Sequence, residues 1–204
     1  MTLSMTLILI AITCAVSLVA MKNEKMIEAL ILWPPAIDRR KEWYRLVSYG
    51  LIHADFMHLA FNMITLFFFG LVMEGFYEDA LGPFGFAIFY LVGLVASILP
   101  TYLRHRHDAQ YYSLGASGAV SAVLFAFILF QPWQMIYIFV LPVPAILYAV
   151  AYVVYSIWAD RQGGDRINHS AHLWGAAVGV AFTVLLEPAV VPHFLGELAS
   201  PFGG

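Results

Sequence analysis

The sequence predicts an all-α membrane protein, a bundle of six transmembrane helices whose first loop lies in the membrane interface. Three observations carry that expectation. The chain of 204 residues is 62% hydrophobic and only 11% charged, where a soluble domain carries about a quarter charged residues. Its apolar residues gather into six stretches, each near the roughly 20 residues that a hydrocarbon core requires. Finally, all 10 Lys and Arg fall in the first, third and fifth connections between those stretches, and so on one membrane face. A missed or invented helix would scramble so clean a segregation.

The first stretch, Leu3–Ala20, has no basic segment before it and ends at Met21-Lys22 without a small-residue cleavage pattern. It is expected to be a retained helix rather than a signal peptide. The loop from Lys22 to Asp55 is long and polar but interrupted by Ile31-Leu32-Trp33-Pro34-Pro35 and Trp43-Tyr44. Amphipathic aromatics beside basic residues suit the headgroup zone. Spans are expected next at Phe56–Gly75 and Phe84–Leu103, parted by the turn signal Gly82-Pro83. Ser117–Trp133 and Met135–Trp158 follow, with Gln131-Pro132 between them. Pro142 and Pro144 predict that the fifth span is kinked or starts late. The sixth runs over His172–Leu186. With no internal repeat, low-complexity tract or soluble appendage, residues 1–204 form a single transmembrane domain.

The basic face holds Lys22, Lys25, Arg39, Arg40, Lys41, Arg45, Arg104, Arg106, Arg161 and Arg166, and the opposite face Glu74, Glu78, Asp79, Glu187 and Glu197. By the positive-inside rule the basic face is cytoplasmic. A pI near 6.1 with 13 acidic residues gives no reason to expect a nucleic-acid partner. The single cysteine, Cys14, excludes a disulfide framework.

Polar groups inside the spans carry the chemistry. Gly115-Ala116-Ser117-Gly118 opens the fourth span and Ala171-His172-Leu173-Trp174-Gly175 the sixth. A histidine at membrane depth is costly and signals a functional site with a partner nearby. Ser117 is the natural partner. Glycines flanking it leave amides uncovered at a helix N-terminus, where an anion is favoured. Gly175 and Gly179 give the sixth helix a small-residue face, matched by Gly115, Gly118 and Ala122 on the fourth. Close packing of those faces brings Ser117 within reach of His172, the first requirement for general-base activation of a hydroxyl. No acidic residue lies beside His172 within either helix, Asp165 in the preceding loop being the nearest, so a Ser-His dyad is expected rather than a triad. On the second span His58 and Asn62 stack one turn apart on one face, about 6 Å from each other. Both can donate hydrogen bonds to a developing oxyanion. His53, one turn earlier, is placed to bond the loop backbone. His105, His107, His169 and His193 are expected to be solvated or structural. There is no His-Glu-x-x-His pattern, so no metal and no cofactor is expected.

These motifs resemble those of the rhomboid-family intramembrane serine proteases. The likeness runs over nearly the whole chain: six spans, an aromatic–Arg pair (Tyr44-Arg45) in the first loop, His53-x4-His58-x3-Asn62, Gly115-Ala116-Ser117-Gly118, and Ala171-His172 with Gly175 and Gly179. It implies a rhomboid-like bundle with Ser117 as nucleophile and His172 as its base. It also implies an oxyanion hole of His58, Asn62 and the Ser117 amide, with His53 in support. Phe61 matches a position near the substrate entrance between the second and fifth helices. The substrates implied are transmembrane proteins within the lipid bilayer, and the location expected is a cell (inner) membrane. Some members stack an aromatic on the catalytic histidine from one turn after the nucleophile; here that position is Ser121, and Trp174 is the expected substitute. The family usually opens its site to the extracytoplasmic side, opposite to the orientation that the charge rule gives. Two other readings remain, a rhomboid-like protein that binds membrane clients without cutting them and a small transporter. Polar residues clustered at helix mouths, rather than spread along a pore, argue against the second.

Overall fold

The structure is a computed structural model that describes residues 4–138, 140–162 and 167–200. Asp165 lies outside the described residues. The fold is mostly helical, in the order α1 (Met5–Ala20), α2 (Glu24–Leu30), α3 (Pro34–Arg40), α4 (Arg45–Ser48), a 3-10 turn (Tyr49–Leu51), α5 (Phe56–Leu81), α6 (Gly85–His105) and α7 (Ser117–Phe130). A two-stranded hairpin follows, β1 (Met135–Ile138) and β2 (Leu141–Pro144), then α8 (Ala145–Gln162), α9 (His169–Leu186) and α10 (Val190–Ala199).

α7 is the axis of the bundle. It packs against α5, α6 and α9, and every residue from Gly118 to Leu129 is buried. Its sequence is apolar on all sides, the pattern of a helix with no solvent face. By length and composition, α5, α6 and α9 are each able to cross a membrane, while α1 and α7 are apolar but shorter.

Side-chain caps set the helix starts. Asn23 caps α2, Asp55 accepts from the His58 amide at the start of α5, and Asn168 accepts from the Ala171 amide at the start of α9. α1 is anchored differently. The Glu74 carboxylate, on α5, accepts from the Ser4 hydroxyl and from the Met5 and Thr6 amides. A carboxylate at a helix N-terminus meets orphan amides and the positive dipole end together. Sequence reading places Glu74 among the charges of one face; in the fold it is buried and holds two helices together.

The first loop is folded rather than irregular. Arg45 is buried, donates to the Glu28 and Ile31 carbonyls and pairs with Glu42. That single side chain gathers α2, the following turn and α4. A bridge between Leu32 and Ser113 ties this region to the loop before α7.

Several spans depart from expectation: the second runs past Gly75 to Leu81, the fourth stops at Phe130 short of Trp133, and the fifth and sixth start elsewhere. The fifth does not begin at Met135: β1 and β2 pair antiparallel, Tyr137 opposite Pro142 and Met135 opposite Pro144. Proline lacks an amide and costs a helix interior a hydrogen bond, whereas a strand edge tolerates it. α6 carries one such residue, Pro100, but with Pro142 and Pro144 close together the helix starts after Pro144. The sixth begins three residues before His172, at His169, because Asn168 supplies the cap. α10 has no counterpart in the expected spans; it lies against the far end of α7, where His193 Nε2 meets the Phe130 carbonyl at 2.9 Å.

Candidate active site

The loop before α7 must turn sharply to deliver Ser117 to the helix mouth. Gly115 makes that turn at φ +115°, a conformation open to glycine and strained for other residues. A side chain there would also meet His58, since a Cβ would lie 2.6 Å from the ring Cε1. Gly115 therefore packs on α5 and not on α9, contrary to expectation. The other expected small residues do form the seam. A Cβ on Gly175 would collide with the Gly118 backbone and one on Gly179 with the Ala122 backbone. Gly118 itself faces α6, where a Cβ would strike the Ser97 hydroxyl. Backbone thus meets backbone along α7 and α9, and the two helix mouths come together.

At those mouths His172 Nε2 lies 2.7 Å from Ser117 Oγ, a good hydrogen-bond distance. Both side chains are half-buried. They open into a cavity of about 1410 Å³ that His58, Asn62, Phe61 and Tyr152 also line. Asn62 spends one amide proton on the His58 carbonyl, at 3.0 Å, and the amide carries a second. Phe61 is exposed on the α5 wall, while Tyr148 and Tyr152 form the α8 wall.

His53 lies outside the cavity, almost wholly buried, and its Nε2 accepts the Ala116 amide at 3.3 Å. Burial, and after it the neighbouring His58, push its pKa down from 6.5 to about 3 against the opposing effect of Asp55. The ring is therefore neutral at ordinary pH and able to accept. Among the described residues no three His, Cys, Asp or Glu side chains converge as a metal site.

Tyr152 is the residue that sequence reading missed. Its ring lies nearly parallel to His172, 5.9 Å between centroids and 16° between planes, and its hydroxyl meets Ser121 Oγ at 2.6 Å. Trp174, the expected stacking partner, is instead 49% exposed on the outer side of α9. An aromatic partner for the imidazole comes from α8, while the α7 position holds a serine that orients that aromatic. A signal was present, in Tyr148, Tyr152 and Tyr155 at helical spacing within a span. The remaining histidines are accounted for locally. His169 packs edge-on against both His172 and Tyr155, and His105 stacks on Tyr111.

A small-residue seam thus brings one serine to one histidine at the mouths of apolar helices, and the comparisons with known proteins give the family. The family model of the rhomboid domain matches residues 40–189. The chain belongs to the rhomboid family. It is 33% identical to the RHOMBOID-like protein 12, mitochondrial, of Arabidopsis thaliana over 147 residues, 66% of this chain and 44% of that protein. It is 31% identical to the Rhomboid-like protein 11, chloroplastic, of the same plant over 161 residues, 71% of this chain and 53% of that protein. The chain thus matches about half the length of these relatives. Both carry organellar names, so they lend no support to the expected cell (inner) membrane; what stands is a membrane protein.

Proposed function

We propose that this chain is an intramembrane serine endopeptidase that hydrolyses peptide bonds in or near the transmembrane segments of other proteins. One observation carries the reading: the 2.7 Å contact between Ser117 Oγ and His172 Nε2, set in a cavity lined by further hydrogen-bond donors. His172 takes the hydroxyl proton as Ser117 attacks the scissile carbonyl, and returns it to the leaving amine. The tetrahedral oxyanion is held by the Ser117 amide, which has no acceptor within its own helix, together with Asn62 and His58. Water then repeats the sequence on the acyl-enzyme and frees Ser117.

In this reading α1, α5, α6, α7, α8 and α9 cross the bilayer, and α2–α4 lie in the headgroup zone. α7 has 14 residues and spans about 21 Å, well short of the roughly 30 Å hydrocarbon core. Ser117 is consequently recessed below the membrane surface, and the polar cavity is what brings water to it. A substrate helix enters between α5, at Phe61, and α8. Its carbonyls are bonded internally while it remains helical, so it must unwind before attack.

The test is reaction of the purified protein in detergent with a fluorophosphonate probe. Wild type is expected to label, and Ser117→Ala to lose labelling with thermal stability nearly unchanged, since it removes about 1 kcal/mol of hydrogen bonding. His172→Ala is expected to lose labelling while staying folded, with a larger loss of stability because its ring contacts with Tyr152 and His169 go too. A folded wild type that does not label would favour client binding without cleavage.

A further inference from the structure

The loop that presents Ser117 is held from behind by a relay that starts on α1, a helix with no part in the chemistry above. Ser17, fully buried on α1, has its hydroxyl 2.9 Å from the Leu51 carbonyl and 2.8 Å from His53 Nδ1. On the other side of the same ring, Nε2 lies 3.3 Å from the Ala116 amide. Every proton in this chain has one place to go. A backbone amide can only donate, so Nε2 must be bare. A neutral imidazole with a bare Nε2 carries its proton on Nδ1. That proton can go only to Ser17 Oγ, and the serine must then donate its own to the Leu51 carbonyl.

We propose that Ser17 is a positioning residue for the oxyanion-binding loop, acting by holding the His53 ring in the orientation in which Nε2 accepts the Ala116 amide. Ala116 directly precedes Ser117, and the Gly115 amide beside it is held at 2.9 Å by the Tyr49 carbonyl. The two acceptors together fix the peptide planes leading into α7, and with them the direction of the Ser117 amide. Without Ser17, the buried Nδ1–H loses its acceptor, and leaving a buried donor unmade is costlier than a hydrogen bond is worth. The ring then relieves that cost only by turning its Nδ1–H toward another acceptor, and such a turn carries Nε2 away from the Ala116 amide. The role in catalysis rests on the protease reading; the role in holding the loop does not.

The experiment is amide hydrogen exchange at Ala116, with 15N shifts of the His53 ring, in the full chain in detergent. Ser17→Ala is expected to speed Ala116 exchange about tenfold and to shift the 15N resonances of the His53 ring, with exchange in the middle of α7 unchanged. Thr13→Ala removes an equally buried hydroxyl from the same helix and should leave both readouts as in wild type. In a wild type that labels with fluorophosphonate, Ser17→Ala is expected to slow labelling and to lower kcat with KM little changed. Unchanged Ala116 exchange, or faster exchange with unaltered labelling, would overturn the proposal while the protease reading survives. Faster exchange in a protein whose wild type never labels would sink the protease reading and leave Ser17 as the anchor of the loop.

Discussion

The two flanks of α7 hold the site by opposite means. On the α9 flank, glycine lets backbone rest on backbone, Gly175 against Gly118 and Gly179 against Ala122. No side chain there can rotate to absorb a change. On the α8 flank, contact is made through side chains, with Tyr152 reaching Ser121 by its hydroxyl and His172 by its ring. Rotamers can adjust on that side. The difference separates two tasks: the α9 seam sets how far Ser117 stands from His172, and the α8 flank sets how the imidazole is turned.

That contrast can be broken at its rigid side first. Gly179→Val drives a side chain into the Ala122 backbone, which cannot move aside. The cost is expected to exceed the about 1–3 kcal/mol of an accommodated overpacking, seen as loss of the folded protein in detergent. Gly118→Val, which meets the Ser97 side chain on α6, should be the milder of the two. Recovery of well-folded, stable Gly179→Val would show that the seam yields after all.

Acid probes the loop between the flanks. The folded pKa of His53 is about 3 against an ordinary 6.5, so the unfolded chain takes up the proton first as pH falls. Stability from this group is complete above about pH 6.5 and is lost progressively as pH drops toward about 3. The thermal midpoint should fall across that window by the equivalent of a few kcal/mol, and the fall should flatten in His53→Asn. An identical pH dependence in that variant would remove His53 as its source.

The soft side should answer least. Tyr152→Leu loses an aromatic contact worth about 0.5–1.5 kcal/mol, so kcat or the rate of probe labelling should drop about two- to tenfold. Tyr152→Phe keeps the ring, loses only the Ser121 contact and should fall less. Equal losses in the two variants would mean that the hydroxyl, not the stack, positions His172.

The α9 flank was legible in the sequence, because small residues at regular spacing beside Ser117 and His172 already describe two helices that approach closely. His58 and Asn62 were legible for a similar reason, since one helical turn is a local relation. The α8 flank was not. Nothing in the spacing of Tyr148, Tyr152 and Tyr155 tells which of them reaches His172, 20 residues on from Tyr152 and on another helix. Gly115 was placed on the wrong neighbour because a left-handed loop residue carries no helical phase. The hairpin at Met135–Pro144 hid within an apolar run, with only its two prolines to mark it.

The sequence by itself determined the solvent, the helical bundle, and which serine and which histidine stand at helix mouths, since composition and period are properties of the chain taken a few turns at a time. Only the tertiary structure decided what orients them: Tyr152 on one side of His172, and Ser17 and His53 behind the Ser117 loop. Those contacts join residues tens of positions apart, and they depend on how helices rotate about their axes as they pack. No local pattern records that rotation.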